Sequence, residues 1–175
     1  MYGGTHPNIA MALNNLADTL RQQGRYADAE PLYQRTLQTV EEHFGLEDVN
    51  LAYPLSGLAE LYRLQARYGE SLPLFRRALR FRKKAFGLQH PETAETMYGL
   101  GQTRESQGRY EQARRWYAHV RAIREALFGP SHPETIETYQ HSIALLRKMG
   151  CHDDEADKLE ATLQAAQNSS VAQSA

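Results

Sequence analysis

The sequence predicts an all-α fold, a right-handed superhelical α-solenoid of about four antiparallel helix-pair repeats. The main observation is a 42-residue period at which three short motifs recur. They are Gly24-Arg25-Tyr26, Ala66-Arg67-Tyr68 and Gly108-Arg109-Tyr110; Phe44-Gly45, Phe86-Gly87 and Phe128-Gly129; and His6-Pro7, His90-Pro91 and His132-Pro133, with Asp48-Val49 in the second position. A fixed period of this length is typical of stacked repeats, each of which buries its apolar face only against its neighbours.

Two amphipathic helices are predicted in the first repeat. Apolar residues at spacings of three and four place one face of a helix over residues 7–23 against the core. Gly24 ends this helix, because glycine adopts the left-handed conformation of a C-terminal cap without strain. A second helix follows over residues 27–44 and ends at Gly45. The expected inward residues are Ala10, Leu13, Leu16, Ala17, Leu20, Ala29, Leu32, Tyr33, Leu37 and Val40.

The later repeats follow the same plan. Helices are predicted over 49–65, 69–86, 91–107, 111–128, 133–149 and 153–167. Pro54 removes one backbone hydrogen bond, so the third helix should start late or kink near Tyr53. Small residues should face large ones across each helix pair, because close packing requires it. These are Ala17, Ala59 and Gly101 opposite Tyr33, Phe75 and Tyr117.

The register also predicts the repeat boundaries. The four repeats span 6–48, 49–89, 90–131 and 132–167, and the last is degenerate and serves as a cap. Tyr2-Gly3 is in register with Phe44-Gly45, so residues 1–5 are expected to be the remnant of a preceding repeat, either in a fragment of a longer array or in a chain whose upstream repeats were lost. The small polar residues 168–175 are expected to form a disordered tail.

Composition limits the function classes. The 175 residues carry a formal net charge of −1, without the basic excess that nucleic-acid binders usually show. Cys151 is the single cysteine, and there is neither an apolar run of membrane-spanning length nor an apolar signal core. We therefore expect a cytoplasmic protein that binds neither nucleic acid nor membranes.

At this point the chain resembles the tetratricopeptide repeats, in the 42-residue form found in kinesin light chains. The resemblance covers residues 2–150 strongly and 151–165 weakly. Its most specific stretches are Leu13-Asn14-Asn15-Leu16-Ala17, Gln23-Gly24-Arg25-Tyr26-Ala27-Asp28-Ala29-Glu30-Pro31-Leu32-Tyr33, His90-Pro91-Glu92-Thr93-Ala94 and Gln107-Gly108-Arg109-Tyr110-Glu111-Gln112-Ala113.

Catalytic chemistry has no clear signature. The sequence contains no convincing nucleophile–base pair and no glycine-rich phosphate loop, so we expect neither an enzyme nor a cofactor. The repeated histidine is expected to be a cap at each helix start, about 10 Å from its equivalents, which is too far for joint metal ligation. Cys151-His152-Asp153-Asp154 lies where the fourth repeat should carry the Gly-Arg-Tyr turn motif, and we interpret it as a degenerate copy of that motif. A metal site at these residues is the less favoured alternative.

The basic run over residues 76–84 has two interpretations. It could bind an anionic partner such as nucleic acid. The register favours the second, in which Lys83 pairs with Glu41 and with Glu125 on adjacent second helices.

The resemblance implies that the first helix of each repeat lines the concave face, where partners bind. Positions not used for packing are the candidate peptide-binding residues, because amides, charges of both signs and exposed tyrosines suit an extended peptide. They are Met11, Asn14, Asn15, Asp18, Arg21, Tyr53, Glu60, Arg63, Tyr98, Gln102, Glu105, His141, Arg147 and Lys148. By resemblance, Asn14 and Asn15 would contact the peptide main chain, although the later repeats lack this asparagine pair.

Two function hypotheses follow. The first is a non-catalytic scaffold that binds a peptide or protein partner in the concave groove. The alternative is a structural or regulatory repeat segment of a larger nucleotide-dependent switch protein, without a ligand of its own. Under the first, substituting Arg21, Arg63 and Tyr98 together should abolish binding without unfolding the chain.

Overall fold

A computed structural model describes residues 7–173, with side chains described for residues 9–168. This part of the chain is helical, without β-strands. The helices are α1 (Pro7–Gln22), α2 (Tyr26–Phe44), α3 (Ala52–Leu64), α4 (Tyr68–Phe86), α5 (Pro91–Ser106), α6 (Tyr110–Phe128), α7 (Pro133–Met149) and α8 (Asp153–Gln173), with a 3₁₀ turn at Val49–Leu51 before α3. The all-α prediction is confirmed.

The chain divides into two compact units. In the N-terminal unit, residues 1–87, α1 packs on α2, α2 on α3 and α3 on α4. In the C-terminal unit, residues 88–175, α5 packs on α6, α6 on α7 and α7 on α8. Short turns between consecutive helices make them antiparallel neighbours.

Local sequence signals set the helix starts. Nδ1 of His90 and of His132 accepts a hydrogen bond from the backbone N–H two residues later, at 3.2 and 3.3 Å. Asp48, in the same register, accepts one from the N–H of Asn50 at 2.8 Å. The cap interpretation is therefore confirmed for His90 and His132, whereas His6 lies outside the described residues.

The first helix of the second repeat starts late, as Pro54 predicted. Residues 49–51 form the 3₁₀ turn, and α3 begins at Ala52. Pro54 thus lies in the first turn of α3, where its missing N–H would have no intrahelical partner in any case.

The turns within the helix pairs share one backbone conformation. Gly24, Ala66 and Gly108 occupy equivalent positions with φ of 75°, 60° and 72°. Ala66 is the only non-glycine residue with positive φ in the described part of the chain. The left-handed cap predicted at Gly24 is therefore present, and alanine adopts it in the second repeat.

Close packing of a small against a large residue is also confirmed for Gly101 and Tyr117. A Cβ atom added to Gly101 would lie 2.7 Å from Cε1 of Tyr117, which is fully buried. Ala17 and Tyr33 belong to one hydrophobic cluster of the N-terminal unit. The structure adds a second close approach, since a Cβ on Gly57 of α3 would meet the ring of Tyr33.

Three expectations need correction or stay outside the described residues. Leu16, expected inward, is 49% exposed. Helix α8 continues to Gln173, which differs from the disordered tail expected from residue 168, because this segment lacks glycine and proline and contains alanine and glutamine. The expected repeat remnant at residues 1–5 is not described.

The charge pairing of adjacent second helices uses a different partner from the predicted one. Arg77 of α4, not Lys83, contacts Glu41 of α2 at 2.9 Å and also donates to the carbonyl of Leu46. Arg80 pairs with Glu47 at 3.0 Å. Two cations of the basic run are thus engaged with carboxylates of the chain itself.

No helix in the described range combines the length and the apolar character that crossing a membrane requires.

Candidate functional site

The N-terminal unit contains a pocket of about 440 Å³ formed by α1, the end of α2 and the start of α3. Four of the predicted peptide-binding residues line it: Met11, Asn14, Asn15 and Tyr53. The other lining residues are Ala10, Thr36, Val40, Phe44, Asn50 and Pro54. The structure thus brings together residues from α1 and α3 that the repeat register had placed on one face.

The pocket has a largely apolar lining with amides beside it. Met11 is 68% exposed, and Phe44 and Tyr53 are about half exposed. The Nδ2 of Asn14 donates to Asp18 at 2.9 Å, whereas its buried Oδ1 accepts no hydrogen bond from the described residues. A buried carbonyl oxygen without a donor is unfavourable, and this oxygen has almost no exposed surface through which a group in the pocket could reach it.

A polar network of α1 and α2 includes this asparagine. The hydroxyl of Tyr33 donates to Oδ1 of Asp18 at 2.6 Å and accepts from Nε of Arg21 at 3.2 Å. Burial raises the pKa of Tyr33, and its hydrogen bond to Asp18 adds to that increase. Asp18 and Arg21, both predicted as peptide contacts, are therefore tied to a buried tyrosine.

Sequence reasoning placed Tyr33 in the core but missed its hydroxyl. The equivalent position holds Phe75 in the second repeat and Tyr117 in the third. Since phenylalanine fills this core position without a hydroxyl, the sequence could have indicated that the tyrosine hydroxyl has a polar partner. A buried tyrosine hydroxyl usually has a partner. Tyr117 repeats the arrangement, since its hydroxyl donates to Glu105 at 2.8 Å.

Glu60 and Arg63 on α3 pair with each other. Nε and Nη2 of Arg63 lie 2.7 and 2.5 Å from the two carboxylate oxygens of Glu60, and both side chains are mostly buried. A carboxylate of a partner would have to compete with this bidentate pair.

In the C-terminal unit, the prediction that Tyr98 is an exposed aromatic surface is wrong. Tyr98 is 4% exposed, and its hydroxyl is hydrogen-bonded to Nδ1 of His141 at 2.7 Å. Its ring packs on the rings of Tyr117 and His141. Burial and the nearby Glu137 raise the pKa of Tyr98. Tyr98 and His141 thus form an internal contact between α5 and α7.

The remaining predicted residues of this unit do not gather around one pocket. Gln102 and Glu105 are half-buried on α5. Arg147 forms ion pairs with Asp153, Asp157 and Glu160 of α8. The ammonium of Lys148 lies 4.9 Å from the ring centre of Tyr110 on α6.

The sequence analysis also missed the buried Arg124 of α6. Its guanidinium donates to Glu95 at 2.5 Å, to the hydroxyl of Thr138 at 2.8 Å and to the carbonyl of Glu134 at 3.0 Å. The 42-residue register could have found it, because the same inward position holds Val40 and Arg82. Arg124 connects α5, α6 and α7 and is not available to a partner.

Comparison with family models identifies the repeats. The tetratricopeptide repeat model matches residues 9–50 in one form and residues 50–126 and 104–168 in another. A search of curated proteins finds no match to the sequence.

Solved structures show the same fold. A candidate kinesin light chain from Podosopora anserina with nearly identical TPR-like repeats superposes with a TM-score of 0.83 at 19% identity, covering 94% of this chain and 77% of that one. BtubC (BKLC) from P. vanneervenii gives 0.80 at 20% identity, covering 97% and 66%. A MamA RS-1 double mutant gives 0.68 at 15% identity, covering 97% and 79%. At such identities the likeness shows the fold alone.

Proteins built from these repeats are generally non-catalytic scaffolds for protein interactions. Since the models match residues 9–168, the chain belongs to the tetratricopeptide repeat family, with a solenoid fold like that of kinesin-light-chain-like members.

Proposed function

We propose that the chain is a non-catalytic, cytoplasmic scaffold that binds an extended segment of a protein partner through the pocket of the N-terminal unit. The observation that carries this proposal is the convergence of Met11, Asn14, Asn15 and Tyr53 on one pocket. Apolar side chains supply contact area, and amides supply hydrogen bonds to a main chain. Nucleic acid and membranes are not expected partners.

Asn14 and Asn15 have distinct roles in this proposal. Asn14 forms part of the pocket wall, and its Nδ2 stays on Asp18. Asn15 is exposed and can contact the segment with its whole amide. The aspartate, through Tyr33 and Arg21, holds Asn14 in place.

The structure changes the choice of test residues. A variant in Arg21, Arg63 and Tyr98 would remove two internal ion pairs, a contact to Tyr33 and a buried tyrosine. Lost binding by that variant could reflect unfolding. Substitutions at exposed pocket residues avoid this ambiguity.

The test is selection of peptides from a random phage-displayed library against the wild-type chain, followed by titration of the selected peptide. Met11→Lys with Asn15→Lys should weaken its binding by roughly a hundredfold, since a hydrophobic contact and an amide contact are both replaced by charge. Gln34→Lys, at an exposed position of α2, is the matched control and should bind normally.

NMR of the amide groups should locate the bound peptide. We expect the largest shift changes at residues of α1 and α3 that line the pocket. Full binding by the double lysine variant, or shift changes confined to residues 88–175, would refute the assignment. The alternative of a repeat segment without a ligand predicts that no peptide is enriched by the wild type.

A further inference from the structure

The basic run leaves a row of exposed cations on α4, which we call the basic stripe and define as Arg76, Arg80, Lys83 and Lys84. Successive members lie four, three and one residues apart, so they share one side of the helix. Arg80 pairs with Glu47 at 3.0 Å. The other three members form no ion pair with the described residues. Helix α4 therefore presents three uncompensated positive charges on one side.

Helix α8 presents the opposite charge on an acidic face, which we define as Asp153, Asp157 and Glu160. The three side chains are 64%, 65% and 58% exposed. All three form ion pairs with Arg147, so one positive charge is shared among three negative charges. Lys158, also on α8, is about 140° around the helix from Asp153. The acidic face thus keeps uncompensated negative charge.

The two surfaces match in spacing as well as in sign. Arg76, Arg80 and Lys83 occupy positions i, i+4 and i+7 of α4, and the acidic face occupies the same three positions of α8. Each row is about 10 Å long, because a helix rises 1.5 Å per residue. Complementary charge brings two surfaces together and disfavours like-charged partners. Since both rows belong to one chain, two copies supply both halves of the contact.

Nucleic acid fits the basic stripe less well than this acidic face does. Proteins that bind nucleic acid usually carry a basic excess over a whole domain. The chain instead has a formal net charge of −1 and four adjacent exposed cations on one helix. The stripe is therefore better matched by a short row of carboxylates than by a long polyanion.

We propose that the basic stripe docks the acidic face of a second copy of this chain, so that copies associate through α4 of one and α8 of the other. The interface is heterologous, because two different surfaces meet. Exposed ion pairs are individually weak and are screened by salt, so association requires high protein concentration and low ionic strength. Neither surface shares a residue with the pocket, which makes this proposal independent of the proposed peptide binding.

Sedimentation velocity of the full chain at submillimolar concentration is the test. The sedimentation coefficient should rise with protein concentration at about 10 mM salt. The rise should vanish at about 1 M salt, because the Debye length falls from about 30 Å to about 3 Å. Lys83→Glu with Lys84→Glu should weaken association at least about tenfold, since the stripe loses its positive charge. Asp157→Lys with Glu160→Lys should do the same to the acidic face.

Mixing these two double variants separates docking from a loss of folding. Each variant alone has lost one half of the contact. In an equimolar mixture, the unchanged stripe of one variant meets the unchanged acidic face of the other. The mixture should therefore associate although neither variant does so alone, and circular dichroism should show that both are folded.

Arg35→Glu with Arg115→Glu is the matched control, since it changes the net charge equally at exposed positions outside the stripe. It should associate like the wild type. A wild type that stays monomeric at low salt, double variants that associate equally well, or a mixture without recovery would overturn the proposal. So would a monomeric wild type that binds a polyglutamate peptide through Lys83 and Lys84, because the occupant would then be an acidic segment of another protein.

Discussion

Ala66 shows that the turn within each helix pair keeps its backbone conformation even where the residue type changes. It occupies with φ of 60° the position where Gly24 and Gly108 have similar angles. A residue with a Cβ atom loses about 1–2 kcal/mol in this region, because Cβ approaches the carbonyl oxygen. The second repeat therefore contains a local strain that its neighbours avoid.

Ala66→Gly should raise the free energy of unfolding by about 0.5–1 kcal/mol, since relief of strain exceeds the entropy that glycine adds to the unfolded chain. Urea denaturation followed by circular dichroism measures the difference. Ala122→Gly, at an exposed position inside α6, is the control and should lower stability by about 1 kcal/mol. Destabilisation by both substitutions would contradict the strain argument.

At the scale of a helix pair, Gly101 and Gly69 both lie within helices, but they differ in how closely neighbouring atoms approach them. Gly101 on α5 approaches Tyr117 so closely that a Cβ would lie 2.7 Å from its ring. A Cβ added to Gly69 on α4 would meet no atom within 4 Å apart from its chain neighbours and the backbone of its own helix. The first glycine is required by packing, and the second is not.

Gly101→Ala should lower the free energy of unfolding by about 1–3 kcal/mol, because the fully buried Tyr117 ring must move. Gly69→Ala should be neutral or stabilising by up to about 1 kcal/mol, since alanine favours the helix. Thermal and urea denaturation of the two variants measure the difference. Equal effects would show that helix propensity, not the contact with Tyr117, decides both outcomes.

For the whole molecule, stability in a stacked array is approximately a sum of repeat terms and nearest-neighbour terms. A defect should therefore be felt most in the helices that touch it. Gly101→Ala should accelerate amide hydrogen exchange in α5 and α6 and leave protection in α1 and α2 close to that of the wild type. Exchange measured by mass spectrometry over the full chain tests this, and uniform acceleration would instead indicate one cooperative unit.

The fold was predictable because its determinants are local and repeated. Glycines at helix ends, proline near helix starts and a constant register require no knowledge of distant contacts. The late start of α3 could be predicted from Pro54 alone. The helix at the end of α8 could not, because its polar sequence resembles that of disordered segments.

The candidate site was predictable only in part. Register placed Met11, Asn14, Asn15 and Tyr53 on one face, and the structure puts them in one pocket. Register could not predict the burial of Tyr98, because α5 is buried without a break from Thr96 to Gly101, whereas α1 has an open face. It also could not show that Arg147 and Arg63 already have carboxylate partners.

The helix-start caps at one register position use two kinds of acceptor. Nδ1 of His90 and of His132 offers one lone pair and accepts one backbone N–H. Oδ1 of Asp48 accepts both the backbone N–H and Nδ2 of Asn50, at 2.8 and 2.7 Å. The repeat therefore fixes where the acceptor lies and not which residue supplies it, so a helix start can exchange imidazole for carboxylate and keep its register.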